Sequence, residues 1–184
     1  MAYKYDSMLI FDEIQTGLGL TGKMWGYKHF SGVIPDMICF GKKTQVCGFC
    51  CTDRINNVPN NVSNVSSRIN STWGGNIVDM VRFCHIIDVI EEDNLVENAK
   101  TVGEYLLGKL VLVDGISNVR GKGLMIAFDL PHEELRDEMM ELLSENMLAL
   151  KCGRKSIRLR PHLTFSKEDA DFAHSYIEKA AREL

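Results

Sequence analysis

The fold is decided near the start of the chain, where the apolar run Ser7-Met8-Leu9-Ile10-Phe11 ends at two adjacent acids, Asp12 and Glu13. An apolar run of this length, followed by glycine-rich turns, predicts a β-strand. A second run, Met37-Ile38-Cys39-Phe40, ends just before Lys42 and predicts another strand. The thirty positions from Asp12 to Lys42 are enough for the crossover between two parallel strands. We therefore expect an α/β fold with both residues at one edge of a sheet.

Asp12 and Lys42 have opposite charges and are predicted to follow the carboxyl ends of their strands. Ligands of open α/β sheets bind outside these ends. The pair suits a cofactor with a basic ring nitrogen and an aldehyde, because an aspartate can pair with the protonated nitrogen while a lysine forms a Schiff base. The residues alone leave a second interpretation open, which is a surface ion pair without function.

The glycines after the first strand match the G-x-G-x-x-G pattern of dinucleotide-binding folds over residues 17–22. Asp36 has about the right spacing for a ribose-binding acid, but it precedes the second predicted strand and follows Pro35. The helix expected after the glycines would also be interrupted by Gly26 and Gly32. This geometry disfavours a nicotinamide cofactor.

The composition is that of a folded globular protein. The chain has 184 residues, a mass of 20.8 kDa, 45% hydrophobic and 25% charged residues, and a formal net charge of -4. This acidic balance disfavours nucleic acid and anionic membranes as partners, and no apolar run approaches the ~20 residues of a membrane span. The charge balance and the lack of an apolar span lead us to expect a cytoplasmic location. The six cysteines lie in apolar segments, and the C-x-x-C of Cys47 and Cys50 has no second ligand pair at zinc-site spacing, so we expect reduced core thiols and no metal.

The polar segment 56–76 is rich in Asn and Ser and predicts a long loop. A helix is predicted over 77–92, with apolar residues on nearly every face that indicate burial, and an amphipathic helix over 95–111. The pattern changes after residue 115. Further strands are predicted over 116–119, 124–130 and 156–159, and further helices over 133–146 and from a capping box at Ser166 and Asp169 to the end, with Ala173, Ile177, Ala180 and Leu184 buried.

Several segments, in their order and spacing, resemble the class III pyridoxal-phosphate-dependent aminotransferases. They are residues 9–22, Val33-Ile34-Pro35-Asp36, Phe40-Gly41-Lys42-Lys43, Ser71-Thr72-Trp73-Gly74-Gly75-Asn76, Val119-Arg120-Gly121-Lys122-Gly123 and Ile157-Arg158-Leu159-Arg160-Pro161. The resemblance covers the whole chain and implies the C-terminal part of a fold-type-I α/β transferase. Residues 1–103 would be the C-terminal portion of the cofactor-binding large domain, with a partial sheet, and residues 104–184 a small C-terminal α+β domain.

The resemblance also implies that pyridoxal 5'-phosphate is the cofactor. Asp12 matches the carboxylate that pairs with its pyridine nitrogen, Gln15 a residue near its phenolic oxygen, and Lys42 the Schiff-base lysine. The Lys42 amine would also move the proton between the substrate and cofactor carbons. A cation at Lys43 would lower the pKa of Lys42 and favour the neutral, nucleophilic amine. The alternative interpretation of Lys43 is a solvated side chain.

The remaining residues of the implied site come from a loop and a strand. Thr72 would reach the cofactor phosphate of a partner subunit, which makes a homodimer with shared active sites part of the mechanism. Asn70 and Ser71 would line the substrate pocket. Arg158 matches an arginine that grips a substrate carboxylate, a task that suits a planar guanidinium. Without the resemblance, Thr72 would be an ordinary loop hydroxyl, Trp73 a core anchor and Arg158 a solvated side chain.

Within the family, residues 40–48 and 71–76 are most similar to lysine 6-aminotransferases. The implied reaction transfers the terminal amino group of L-lysine to 2-oxoglutarate, with an amino acid donor and a 2-oxo acid acceptor as partners. One alternative is 4-aminobutyrate or another omega-amino acid as the donor, since all of these carry a terminal amine on a flexible chain. A second alternative is an inactive fragment that acts only as a structural module.

Overall fold

The computed structural model describes residues 2–184, which form two compact units. The first unit consists of the chain up to Leu18 and of residues 25–93, and the second of residues 19–24 and 94–184. The predicted domain boundary, between residues 103 and 104, falls inside a helix that begins at Leu95 and belongs wholly to the second unit. The division into a large and a small domain therefore remains a prediction.

The first unit contains the predicted pair of parallel strands. β1 (Ile10–Asp12) lies parallel to β2 (Met37–Phe40), and β3 (Gly48–Cys51) is antiparallel to β2 on its other side. β1 begins later than predicted and includes Asp12 as its last residue. The start of β2 is held by the buried carboxylate of Asp36, which accepts from Leu9 N and from Arg54 Nη1, each at 2.7 Å. Asp36 therefore has a structural role.

The long loop ends at α1 (Ile77–Glu92), which has the predicted bounds. Asn76 caps this helix, because its Oδ1 accepts from Val78 N at 3.0 Å. The predicted burial of α1 is wrong: Ile90 is its only fully buried residue within the described part of the chain. Trp73, predicted as a core anchor, is 78% exposed. Apolar residues on every face favour a helix that is surrounded by other parts of a protein. Within residues 2–184, most of the apolar side chains of α1 have no such cover.

The second unit is an antiparallel sheet with three helices packed on it. Its strands are, in spatial order, β4 (Ser117–Lys122), β5 (Met125–Asp129), β7 (Ser156–Leu159) and β6 (Leu150–Cys152). The helices are α2 (Leu95–Leu110), α3 (Glu133–Ser144) and α4 (Lys167–Glu183). β6 was not predicted because three residues are too short for a clear alternating pattern.

The core of the second unit lies between the sheet and the helices. Along β7, Ile157 and Leu159 are buried in this core, so the alternation of a strand turns Arg158 to the opposite face of the sheet. The predicted capping box of α4 is confirmed by reciprocal bonds between Ser166 and Asp169. Three of the four predicted core positions of α4 are buried, whereas Leu184 at its end is 37% exposed.

The cysteines are free thiols, but the expected core location is wrong. Cys39 and Cys152 are half-buried, and the other four are exposed. The reason is their position: three of the exposed ones lie in or beside β3, an edge strand, and Cys84 lies on an exposed side of α1. No helix within residues 2–184 combines the length and the apolar character that crossing a membrane requires.

Candidate active site

The carboxyl ends of β1 and β2 bring Asp12 and Lys42 to one edge of the sheet. Asp12 ends β1, and Lys42 follows β2 after Gly41. Asp12 pairs in register with Cys39, so β1 and β2 end side by side at the same edge of the sheet. The side chains of Asp12 and Lys42 are both exposed there. Asp12 Oδ1 accepts from Ile14 N at 3.0 Å, whereas Oδ2 has no hydrogen-bond partner among the described residues. This edge therefore offers an open carboxylate oxygen and an exposed amine.

The loop after β1 is built around Glu13, a residue whose role the sequence did not reveal. Glu13 is only 2% exposed, and its carboxylate accepts from Gly26 N at 2.9 Å, from Tyr27 N at 2.7 Å and from the Thr16 hydroxyl. A buried carboxylate is tolerated when donors satisfy it in this way. The sequence signal that could have found this role is the pair of adjacent acids, Asp12 and Glu13. Neighbouring side chains at a strand end point in opposite directions, so the two carboxylates are expected to have different surroundings.

The turn after β2 has an unusual backbone at the lysine itself. Lys42 has a φ of 57°, in the left-handed region that non-glycine residues seldom adopt. Beside it, the buried Thr44 donates its hydroxyl to Val46 O. Lys43 is half-buried, and its Nζ donates to Gln15 O at 2.8 Å. The interpretation of Lys43 as a solvated side chain is therefore wrong, and Gln15 belongs to the same edge as Asp12 and Lys42.

Asn70, Ser71 and Thr72 lie elsewhere in the first unit, on an exposed loop that leads into α1. Gly74 N donates to Ser71 O at 3.1 Å and closes a turn over residues 71–74. The structure thus unites Asp12, Gln15 and Lys42 at the sheet edge and places the three loop residues in a separate turn before α1.

Arg158 lies in the second unit, in the middle of β7, where its neighbours are Ala127 of β5 and Leu150 of β6. The residue is half-buried, and its Nε is a buried donor that has no hydrogen-bond partner in the described chain. A buried donor without an acceptor is costly and rare in native structures. The guanidinium is therefore suited to an anionic ligand from outside these residues.

A buried polar network fixes the strands around Arg158. Asp129 of β5 accepts from Ser156 Oγ at 2.6 Å, from Asn118 Nδ2 at 2.9 Å and from Arg120 Nη1 at 2.8 Å. Burial alone would raise the pKa of Asp129, but these hydrogen bonds outweigh it and lower the pKa to about 2. The ionised carboxylate joins β4, β5 and β7, and it holds Ser156 two positions before Arg158 on the same face of β7.

The donor set fits a cofactor with a basic ring nitrogen and an aldehyde. The open oxygen of Asp12 can accept from a protonated ring nitrogen, and the exposed Lys42 amine can react with an aldehyde. By contrast, no group of three or more His, Cys, Asp or Glu side chains among residues 2–184 is arranged to hold a metal ion.

Comparisons with known proteins agree over nearly the whole chain. The family described as Aminotransferase class-III matches residues 1–181. The L-lysine-epsilon aminotransferase of Mycobacterium bovis is 44% identical over 183 residues, which cover 96% of this chain and 40% of that protein. The 4-aminobutyrate aminotransferase of Kluyveromyces lactis is 36% identical over 190 residues, 98% of this chain and 39% of that protein.

A solved structure gives the same result. The lysine aminotransferase from M. tuberculosis in the internal aldimine form has a TM-score of 0.87 and 43% identity, and the match covers 97% of this chain and 42% of that one. The chain thus spans about two fifths of the length of the relatives it matches.

Proposed function

The chain belongs to the class III aminotransferases, and we propose that it forms part of an enzyme that transfers the terminal amino group of L-lysine to 2-oxoglutarate. Its fold is that of part of a fold-type-I aminotransferase, and proteins of this family use pyridoxal 5'-phosphate. One observation carries the proposal: Asp12 and Lys42 leave adjacent parallel strands at the same edge.

When bound at this edge, pyridoxal phosphate would accept the electron pair released as a substrate C–H bond breaks. The Asp12 carboxylate, oriented by Ile14 N, would keep the ring nitrogen protonated through its open oxygen. Lys42 would hold the cofactor through its aldehyde and, once displaced by substrate, would move the proton as general base and acid. Gln15 would lie near the phenolic oxygen. Each of these roles requires a side chain that is accessible at the edge, as those of Asp12 and Lys42 are.

Arg158 would bind the carboxylate of the amino acid or of the 2-oxo acid. A guanidinium fork forms two parallel, charge-assisted bonds with a carboxylate, and such a ligand would give the buried Nε its missing acceptor. Asn70 and Ser71 would line the substrate pocket, and their exposure on the loop before α1 is compatible with that role.

Lysine is the proposed amino donor because the similarity to lysine aminotransferases is greater. The lysine enzyme of M. bovis is 44% identical to this chain, against 36% for the 4-aminobutyrate enzyme of K. lactis. Both donors carry a terminal amine and a carboxylate, so Arg158 and Lys42 alone do not separate them. An omega-amino acid other than lysine is therefore the alternative donor.

A homodimer with shared active sites is part of the proposal. Thr72, exposed in the turn before α1, would reach the cofactor phosphate of the partner subunit. The exposed apolar side chains on and just before α1 support such an association, since exposed large apolar side chains are common at interfaces. These exposed residues are Ile69 and Trp73 before the helix and Ile77, Val78, Met80, Val81 and Val89 within it. A cytoplasmic location stays a prediction from composition.

The decisive experiment labels the cofactor lysine in the complete protein that contains this chain. We expect added pyridoxal phosphate to give a visible absorption band, borohydride to fix the label on Lys42, and Lys42→Ala to abolish both. Lys4→Met, at an exposed lysine whose ammonium lies 5.4 Å from the Tyr5 ring, is the control and should keep the label. A label on any other lysine contradicts the assignment, and a higher kcat/KM with 4-aminobutyrate than with L-lysine contradicts the donor.

A structural module without activity is the second candidate function. It is favoured by the continuous hydrophobic core of the second unit, which lies within residues of that unit alone. The same absorption measurement separates the two candidates, because such a module gives no visible band with pyridoxal phosphate.

A further inference from the structure

We propose that Lys43 is a positioning residue, which clamps the loop that carries Asp12 and Gln15 onto the turn that carries Lys42. The inference rests on the proposed function, in which the loop and the turn hold the same cofactor. Lys43 itself would touch neither cofactor nor substrate, and it would act through the Gln15 backbone.

The clamp contains a charge-assisted hydrogen bond between the loop after β1 and the turn after β2. The bond from Lys43 Nζ to Gln15 O, at 2.8 Å, joins residues 28 positions apart. Such bonds are roughly twice as strong as bonds between neutral groups. Nearer the sheet, Glu13 N, just after β1, donates to Cys39 O of β2 at 2.9 Å. Lys43 therefore extends the connection between β1 and β2 beyond the last strand residues.

The side chain of Ile14, in the loop after β1, lies close to the start of the turn that carries Lys42. A Cβ built on the buried Gly41 would lie 3.7 Å from the side chain of Ile14, so Ile14 faces the turn across a space about as wide as one methyl group. Ile14 is also the residue whose N–H orients Asp12. A shift of the Gln15 carbonyl away from Lys43 would thus be transmitted through Ile14 to the carboxylate.

The backbone of Lys42 gives a reason for the clamp. A left-handed conformation at a residue other than glycine persists only when the surrounding contacts hold it. Lys43 fixes the turn to the neighbouring loop, and Thr44 fixes it to Val46 O. Loss of the Lys43 bond would therefore release Gln15 on one side and Lys42 on the other.

The test compares Lys43→Met, which keeps most of the stem but removes the donor, with Lys43→Arg, which keeps a cationic donor. In the complete protein without cofactor, hydrogen exchange is measured at the amides of Ile14 and Gly17, which are hydrogen-bonded within the loop. We expect exchange about 10-fold faster in Lys43→Met, in line with the loss of a bond to a charged group, and near wild type in Lys43→Arg. Lys4→Met is the matched control and should leave both amides unchanged.

The second measurement titrates each variant with pyridoxal phosphate and follows its absorption. The dissociation constant should rise about 10-fold in Lys43→Met and stay within about 3-fold of wild type in Lys43→Arg. Unchanged exchange in Lys43→Met contradicts the clamp, and faster exchange with unchanged affinity contradicts its role for the cofactor. A wild-type protein that fails to bind pyridoxal phosphate contradicts the proposed function instead.

Discussion

At the scale of the residue, the missing hydrogen-bond acceptor of Arg158 Nε indicates a ligand site. On the neighbouring strand, the Asp129 carboxylate is satisfied by three donors. Arg158 Nε is instead the one buried side-chain donor or acceptor left without a partner in the described residues. A charged group in this state stabilises the complex with an anion more than it stabilises the free protein.

Arg158→Ala should lower kcat/KM for a carboxylate substrate about 100-fold, because a bidentate, charge-assisted contact is lost. Arg158→Lys should recover only part of the loss, since an ammonium cannot form the planar fork. Steady-state kinetics of the complete protein with L-lysine and 2-oxoglutarate measure both effects. Arg154→Ala, at an exposed position of the same unit, is the control and should have no effect. An unchanged kcat/KM for both substrates in Arg158→Ala rules out the carboxylate contact.

At the scale of the element, α2 is positioned by glycine contacts. A Cβ on Gly103 of α2 would lie 2.0 Å from the carbonyl oxygen of Gly123, in the turn between β4 and β5. A Cβ on Gly123 would in turn lie 2.5 Å from Gly22 N. The backbones of α2, of the turn between β4 and β5 and of the segment that contains Gly22 therefore pack directly against one another. Glycines of the G-x-G-x-x-G pattern thus have a packing role, which the pattern by itself did not predict.

Gly103→Ala should destabilise the protein by roughly 3 kcal/mol, because neither backbone has room to retreat from the added methyl group. Gly108→Ala is the matched control on the same helix, where an added Cβ meets no atom within 4 Å. That change should stabilise by up to ~1 kcal/mol through helix propensity. Urea denaturation of the three proteins measures the difference, and equal stabilities for both variants would refute the close stacking.

At the scale of the molecule, the two units differ in how completely they bury their apolar residues. The second unit has a continuous core with seventeen buried hydrophobic members, and its sheet is joined by the ionised Asp129. In the first unit, α1 leaves most of its apolar residues exposed. We therefore expect the acid stability of the protein to depend on the second unit and its buried carboxylate.

The stability of the folded protein should fall as the pH drops from about 4 to about 2, the interval between the ordinary pKa of Asp129 and its lowered value. A lowered pKa in the folded state means that the stabilisation is complete above this interval and lost through it. Asp129→Asn should lower the free energy of unfolding by up to about 2 kcal/mol at neutral pH and make it less dependent on pH. Asp114→Asn, at an exposed site, is the control and should keep the pH dependence of the wild-type protein. Thermal melts across this pH range make the comparison, and an equally steep dependence in Asp129→Asn would count against the network.

The sequence by itself determined the local features of this protein. Short-range pattern predicted the bounds of β2 and α1 and the cap of α4, because the period of apolar residues and the first turn of a helix depend on residues a few positions apart. The spacing from Asp12 to Lys42 also predicted parallel strands, since it leaves room for the crossover connection that such strands need.

Only the tertiary structure decided which of these residues are buried and what their polar groups contact. Glu13 is satisfied by amides from another turn, Lys43 by a carbonyl 28 positions away, and Arg158 Nε by no group within residues 2–184. Trp73 and four of the six cysteines are exposed although their types favour burial. The physical reason is that burial and hydrogen bonding depend on residues distant in sequence, which the local pattern does not contain.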